Sequence, residues 1–184
     1  ILFLCLFMLP AASVSASETI GNNAKGIPDR GLYQEILKKL GKKPKQKFTK
    51  QEAEQIKSLS TSSKIKNLKG IKYLKNLKKL DLESGGLKNL KGIQSLTNLT
   101  ELNISRNSLK NLKQLKTLKK LKILDASENE INSLSGIEKL KKMESLYLER
   151  NQIRSIKELK NLKELKSMNI WFNQVENLKG LGNQ

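Results

Sequence analysis

The sequence predicts an α/β repeat solenoid: a right-handed coil with a parallel strand ladder on its concave face and an α-helical cap at its N-terminal end. Three observations predict it. One phrase is written five times between Leu77 and Asn173. Its copies keep a constant period of 22 residues, closing at positions 85, 107, 129, 151 and 173. Two short amphipathic stretches precede the array, where an open end would otherwise expose leucines and a strand edge.

The copies read Leu77-Lys-Lys-Leu80-Asp-Leu82-Glu-Ser-Gly85, Leu99-Thr-Glu-Leu102-Asn-Ile104-Ser-Arg-Asn107 and Leu121-Lys-Ile-Leu124-Asp-Ala126-Ser-Glu-Asn129. Met143-Glu-Ser-Leu146-Tyr-Leu148-Glu-Arg-Asn151 and Leu165-Lys-Ser-Met168-Asn-Ile170-Trp-Phe-Asn173 complete the set. The pattern LxxLxLxxN at this period is the leucine-rich-repeat signature. Leu80 and Leu82 alternate at period two and so share one side of a short strand, while Asp81, Asn103, Asp125, Tyr147 and Asn169 face the other way. After each Asn the apolar spacing becomes about three, as in Leu109, Leu112, Leu115 and Leu118, which suits extended or 3₁₀-like coil. No single coil can bury its leucines, so each stacks on its neighbours. Asn107, Asn129, Asn151 and Asn173 lie where the winding turns inward, and their amides are expected to satisfy loop backbone as a structural ladder. Gly85 interrupts that ladder, which predicts a loosened first coil.

Residues 1–16 read as a signal peptide, an apolar run followed by Val14-Ser15-Ala16, with cleavage after Ala16. The missing Met and basic leader imply that the sequence starts a few residues inside this segment. Leu2-Phe3-Leu4 before Cys5 argues against a lipoprotein, and the mature chain then has no cysteine and no transmembrane helix. Residues 17–27 are polar and are expected to be flexible. Residues 28–64 form the cap. Pro28-Asp29 opens a helix carrying Leu32, Tyr33, Ile36, Leu37 and Leu40 on one side, and Gly41 stops it. Thr49-Lys-Gln-Glu52 has the form of a capping box for a second helix, with Ala53, Ile56 and Leu59 as its apolar side. Residues 65–184 are the repeats, beginning with a partial one and ending inside a coil, which reads as truncation.

The order of these parts carries a resemblance. Ile27-Pro-Asp-Arg-Gly-Leu-Tyr-Gln-Glu-Ile-Leu-Lys-Lys-Leu-Gly41, then Phe48-Thr49, then Lys69-Gly-Ile-Lys-Tyr-Leu-Lys-Asn-Leu77 and 22-residue repeats resemble the internalin family of bacterial surface proteins. That resemblance implies a Gram-positive cell-surface or secreted protein that binds a protein ligand on a host or other cell surface through its concave face. The turns depart from the family: Leu87-Lys-Asn-Leu90 and Leu109-Lys-Asn-Leu112 stand where it often has Ile-Ser/Thr-Asp-Ile.

The formal charge is +19. On the outward strand columns, Lys79 stands against Asp81, Glu83, Glu101, Asp125 and Glu149, so this face is mildly acidic. The lysines fall on turn and convex positions. They read either as a solvated back or as an attachment surface for anionic cell-wall polymer such as teichoic acid, for anionic lipid or for glycosaminoglycan. Export and the lack of aromatic residues among the lysines argue against nucleic acid.

Tyr147, Glu149, Trp171 and Phe172 form the most aromatic neighbourhood of the concave side, and Ile123 adds apolar area. Exposed aromatics anchor protein interfaces. With Asp81, Glu83, Asn103, Asp125 and Asn169 they make the candidate protein-binding face, flanked by Arg106, Glu128 and Arg150. Trp171 and Phe172 are read alternatively as packing onto a further repeat. No histidine occurs and no Gly-rich phosphate loop, so no catalytic constellation and no cofactor is expected. Three readings follow: a non-catalytic recognition module, a structural envelope protein held by anionic polymers, and the intracellular phosphatase-regulator type of 22-residue repeat, against which the signal peptide and cap argue.

Overall fold

A computed structural model describes residues 18–179. The expected signal peptide lies outside the described residues. The chain opens with β1 (Thr19–Ile20), α1 (Arg30–Lys39), β2 (Phe48–Thr49), α2 (Lys50–Glu54) and β3 (Ser58–Ser60). It continues with one strand per coil: β4 (Lys79–Asp81), β5 (Glu101–Asn103), β6 (Ile123–Asp125), β7 (Ser145–Tyr147) and β8 (Ser167–Asn169). Strands β3 to β8 form one six-stranded parallel sheet in sequential order. From β4 onward the pairing steps by a full repeat, Leu80 to Leu102 to Leu124 to Leu146 to Met168.

Inside the coil lie the residues that the two periodicities select. Leu80, Leu82, Leu87, Leu90, Ile93, Leu96 and Leu99 of one coil are all buried, and their counterparts stack in register above them. Opposite the strands run 3₁₀ segments whose length is set by one column. Where that column holds Gly70, Gly92 or Gly136, a three-residue segment follows it: Ile71–Tyr73, Ile93–Ser95 or Ile137–Lys139. Where it holds Gln114 or Glu158, the segment lengthens to Lys113–Thr117 or Lys157–Asn161. The glycines take φ of 85 to 108°, and a Cβ at Gly92 would stand 2.6 Å from the Leu68 carbonyl. A residue with a side chain cannot make that turn, so the backbone stays in 3₁₀ form instead.

Two polar ladders order the coils, the first by bonding each coil to the next and the second by closing a turn within each coil. Asn129 is representative of the first: its Nδ2 donates to the Ile104, Ala126 and Ser127 carbonyls, and its Oδ1 accepts from the Leu109 N–H at 3.0 Å. Asn107, Asn151 and Asn173 repeat this pattern one coil away each. The second ladder was not apparent from the sequence. Asn67, Asn89, Asn111 and Asn177 each accept from the N–H two residues on, at 3.1 to 3.3 Å, closing the turn before the 3₁₀ side. Ser133 and Ser155 do the same by hydroxyl. The Lys-Asn turns thus use an Asx turn.

The structure corrects three expectations at the N-terminal end. Residues 17–27 were expected to be flexible, but β1 pairs antiparallel with β2, and Ile20 and Ile27 are buried. Tyr33 fixes that strand pair, its hydroxyl lying 3.1 Å from the Ile20 carbonyl and 2.8 Å from that of Gln46. Second, Leu59 belongs to β3, not to the second helix. That helix stops at Glu54, and β3 pairs parallel with β4, so the ladder starts inside the expected cap. Its register of Leu59 to Leu80 is one residue short of a full repeat, which hid the strand from a 22-residue search. Third, the coil at Gly85 is not loosened. Ser84 keeps the left-handed φ of 56° that Arg106 also has, and its N–H still reaches the Ser105 carbonyl.

The cap is bonded to the coil by two carboxylates. Asp29 caps α1 through the Leu32 N–H and accepts the Lys66 N–H at 2.8 Å with its other oxygen. Glu35 accepts the Ser62 and Ser63 hydroxyls. Burial pushes the Glu35 carboxyl up, but the bonds from Ser63 and Ser62 outweigh it and hold it below its ordinary value. The capping box of α2 has both bonds, Glu52 N–H to Thr49 Oγ1 at 3.1 Å and Thr49 N–H to Glu52 Oε2 at 2.7 Å.

Candidate functional site

The concave face presents three columns: the strand starts, the strand ends, and the positions two residues beyond, Glu83, Ser105, Ser127, Glu149 and Trp171. The strand-start column holds Lys79, Glu101, Ile123, Ser145 and Ser167. Its register partners adjoin directly, and Lys79 bridges Glu101 at 2.8 Å. The strand-end column holds Asp81, Asn103, Asp125, Tyr147 and Asn169. In four of these the side chain has a local duty. Asp81, Asn103, Asp125 and Asn169 each accept the N–H two residues on, at 3.0 to 3.1 Å, and so shape the exit from the strand. Tyr147 supplies no such acceptor. It stands half-buried between Asp125 and Asn169 in the register.

A shallow groove of about 420 Å³ runs across β3 to β7. It brings together the expected residues Asp81, Asn103, Ile123, Asp125 and Tyr147. It also adds residues that the sequence reading missed, Ser58 and Ser60 from β3, because that strand had been assigned to a helix. Lys79 and Glu101 complete its wall. Glu83, Glu149, Asn169, Trp171 and Phe172 do not line it. Ile123 is the one large apolar residue of β3 to β7 that stands exposed, at 39%.

The aromatic neighbourhood is divided. Trp171 follows β8 and is 73% exposed, while Tyr147 lies in the groove one strand earlier and one column across. The two rings do not stack, since Tyr33–Phe48 is the ring pair formed among the described residues. Phe172 is not a strand residue at all. It occupies the left-handed turn column of Ser84, Arg106, Glu128 and Arg150, with φ of 54°. There the Arg150 guanidinium lies 5.2 Å above its ring, a cation–π contact at the rim.

Charge on this face is partly internal. Arg106 joins Glu83 at 3.1 Å and Glu128 at 3.2 Å, and Arg150 lies 3.7 Å from Glu149, which also accepts from Asn169. The bond to Glu128 and the nearby Glu83 hold the Arg106 guanidinium above its usual range. Asp125 lacks an ion pair among the described residues, so the net acidity of the groove centres on Asp81 and Asp125 beside Ile123 and Tyr147.

Comparison with known proteins agrees with this architecture. A model of paired leucine-rich repeats matches residues 119–161. This chain has the leucine-rich-repeat fold. A solved structure of an internalin, InlF of Listeria monocytogenes str. 4b F2365, superposes with a TM-score of 0.51 at 22% identity, over 90% of this chain and 62% of that one. The functional domain of InlJ from Listeria monocytogenes, which includes a cysteine ladder, gives 0.63 at 18% identity, over 90% and 41%. A leucine-rich-repeat protein of Leptospira interrogans gives 0.62 at 34% identity, over 69% and 35%. The chain therefore spans less than two thirds of each of these, and the two internalins share its fold. The search of curated proteins returns no match. No helix among the described residues is long and apolar enough to cross a membrane.

Proposed function

We propose that this chain is an exported, non-catalytic recognition module that binds a protein on a host or other cell surface through its concave groove. One observation carries the reading. In a column where Asp81, Asn103, Asp125 and Asn169 all close the strand exit, Tyr147 gives up that bond and offers an aromatic ring to the groove. Ile123 on the neighbouring strand likewise exposes apolar surface in a polar column. Neither choice serves the coil, and a partner that covers both gives them a purpose. Trp171 and the Arg150–Phe172 pair are a second, outlying contact at the rim. The resemblance to internalins supports residues 1–16 as a leader, release with Ser17 at the N-terminus, and a place on or outside a Gram-positive cell.

The experiment is binding of the mature chain to host-cell surfaces across a salt series, with circular dichroism as the folding control. Tyr147→Ala/Ile123→Ser should lose at least about tenfold in affinity, ~1.4 kcal/mol, with binding that persists in moderate salt for the parent. Unchanged binding in the folded variant refutes the groove.

A second reading has its own observation. The basic residues gather on the turn and convex side, leaving the concave face mildly acidic. On this reading the chain is an envelope protein held to anionic polymers or lipid, and its binding should vanish by moderate salt in parent and groove variant alike.

A further inference from the structure

Where the Asn ladder breaks, Gly85 and Gly86 leave a depression of about 710 Å³. A side chain at Gly86 would meet nothing within 4 Å, so this glycine leaves the coil edge open to solvent, while Gly85 beside it is buried. The cations on its wall are Lys64, Lys66, Lys88 and Arg106, and no carboxylate lines it. At Asn89 it adjoins a second depression of about 600 Å³ between the cap and the 3₁₀ side. That one is lined by Lys25, Lys69, Lys72 and Lys91, again with no carboxylate.

Some lysines elsewhere on the molecule are held in ion pairs. Lys122 and Lys166 share Glu144, Lys75 has Glu54, and Lys79 has Glu101. None of the seven lysines of the two depressions has an ion pair among the described residues. Arg106 is the exception, held by Glu83 and Glu128 on the side facing the strands. What sets the two depressions apart is their lining: neither has a carboxylate on its wall, whereas the strand groove carries Asp81, Glu101 and Asp125.

We propose that the two depressions form one track for a linear polyol-phosphate chain, crossing the edge of the first two coils from the strand-exit turn to the 3₁₀ side. The proposal rests on the second reading above and gives it a defined place. A track of two joined hollows fits a narrow flexible polymer better than a flat lipid surface. Its donors are ammonium point charges and polar Asn and Ser side chains, with Tyr73 outside both linings, so it offers phosphates partners and bases or sugar faces no stacking platform.

The test measures binding of the mature chain to purified poly(glycerol phosphate) across a salt series, beside a sulfated polysaccharide of equal charge density and anionic vesicles. Lys66→Gln/Lys88→Gln/Lys91→Gln is compared with Lys139→Gln/Lys141→Gln/Lys142→Gln, which removes equal charge from exposed positions of a later coil. The first variant should weaken binding at least about tenfold and lower the salt slope by about 2, from ~0.7 per lost phosphate contact, while the second should stay close to the parent. Equal losses in the two variants overturn the track while leaving a diffuse basic surface. Tighter binding of the sulfated polysaccharide or the vesicles overturns the phosphate chain as occupant. No binding to any of the three at low salt overturns the second reading with it.

Discussion

Asn129 tests the account of what holds the coils together. Its Oδ1 accepts the N–H of Leu109, a residue with no exposed surface, and no other acceptor serves that N–H. Its Nδ2 bonds the Ile104 and Ala126 carbonyls, but these are shared: Asn107 also donates to Ile104, and Asn151 also donates to Ala126. Asn129→Ala therefore leaves both carbonyls with one donor and orphans a single buried N–H. An orphaned buried donor costs about 1–3 kcal/mol, and the small void adds to it, so a loss of about 2–3 kcal/mol is expected. That corresponds to a fall in Tm of about 4–12 °C for a chain of this size. Asn129→Asp should be worse than Ala, because a carboxylate cannot donate and sets charge against the carbonyls that Asn129 bonds. The assay is urea and thermal unfolding by circular dichroism, with Trp171 fluorescence as a local report on the last coil. If Asn129→Ala costs under about 0.5 kcal/mol, or if Asp is tolerated better than Ala, the ladder is not the structural element argued here.

Other perturbations follow from the same geometry. Gly85→Asn restores the missing ladder member, giving the buried Ile65 N–H an acceptor, and should raise stability by about 1 kcal/mol in urea unfolding; a loss would mean that the 3.1 Å approach of the new Cβ to the Ile65 carbonyl outweighs the bond. Glu144 accepts Lys122 at 2.7 Å and Lys166 at 2.8 Å, and those bonds hold its carboxyl down to about 2. Because the folded value lies below the unfolded one, its stabilising share is complete above about pH 4.5 and is lost as pH falls toward about 2. Glu144→Gln should flatten that part of the acid unfolding profile by lowering stability modestly at neutral pH, with parent and variant converging as pH falls toward about 2. Thr49→Ala breaks one half of the capping box and should cost about 1 kcal/mol, read by hydrogen exchange as earlier opening of α2 than of the coils. Trp171→Ala should change stability by less than about 0.5 kcal/mol, given its exposure, and any loss of partner binding in that variant then belongs to the rim.

What was legible in the sequence is what the coil repeats. Inward leucines and the Asn ladder recur at 22 residues, and each copy strengthens the inference from the others. What was not legible occurs once. β3 enters the sheet a residue short of the period, and the antiparallel pairing of Thr19–Ile20 with Phe48–Thr49 joins segments with no shared pattern. The Asx turns of Asn67, Asn89 and Asn111 did repeat, but Asn beside Lys reads as solvent-facing polarity until the bonded N–H is seen. The candidate site turns on the same distinction. Tyr147 and Trp171 were selected together as aromatic and outward, and the coil separates them by column, sending Phe172 into a turn where every coil needs a left-handed residue.

A repeat array supplies its own control for function, because each column states what the fold requires at that place. Asp81, Asn103, Asp125 and Asn169 show that the strand exit requires an acceptor, which makes Tyr147 a departure with a structural cost. Asn107, Asn129, Asn151 and Asn173 show that the inward turn requires a carboxamide, which makes Gly85 another. The first departure puts an aromatic ring in the acidic groove, and the second borders a hollow lined by lysines without ion pairs. Because the two lie on different surfaces of the coil and carry opposite charge, a protein partner and a polyanion need not compete. Polyanion binding should therefore leave the affinity for the concave-face partner unchanged at fixed ionic strength, and a mutual displacement measured there would place both ligands on one surface and overturn the separation.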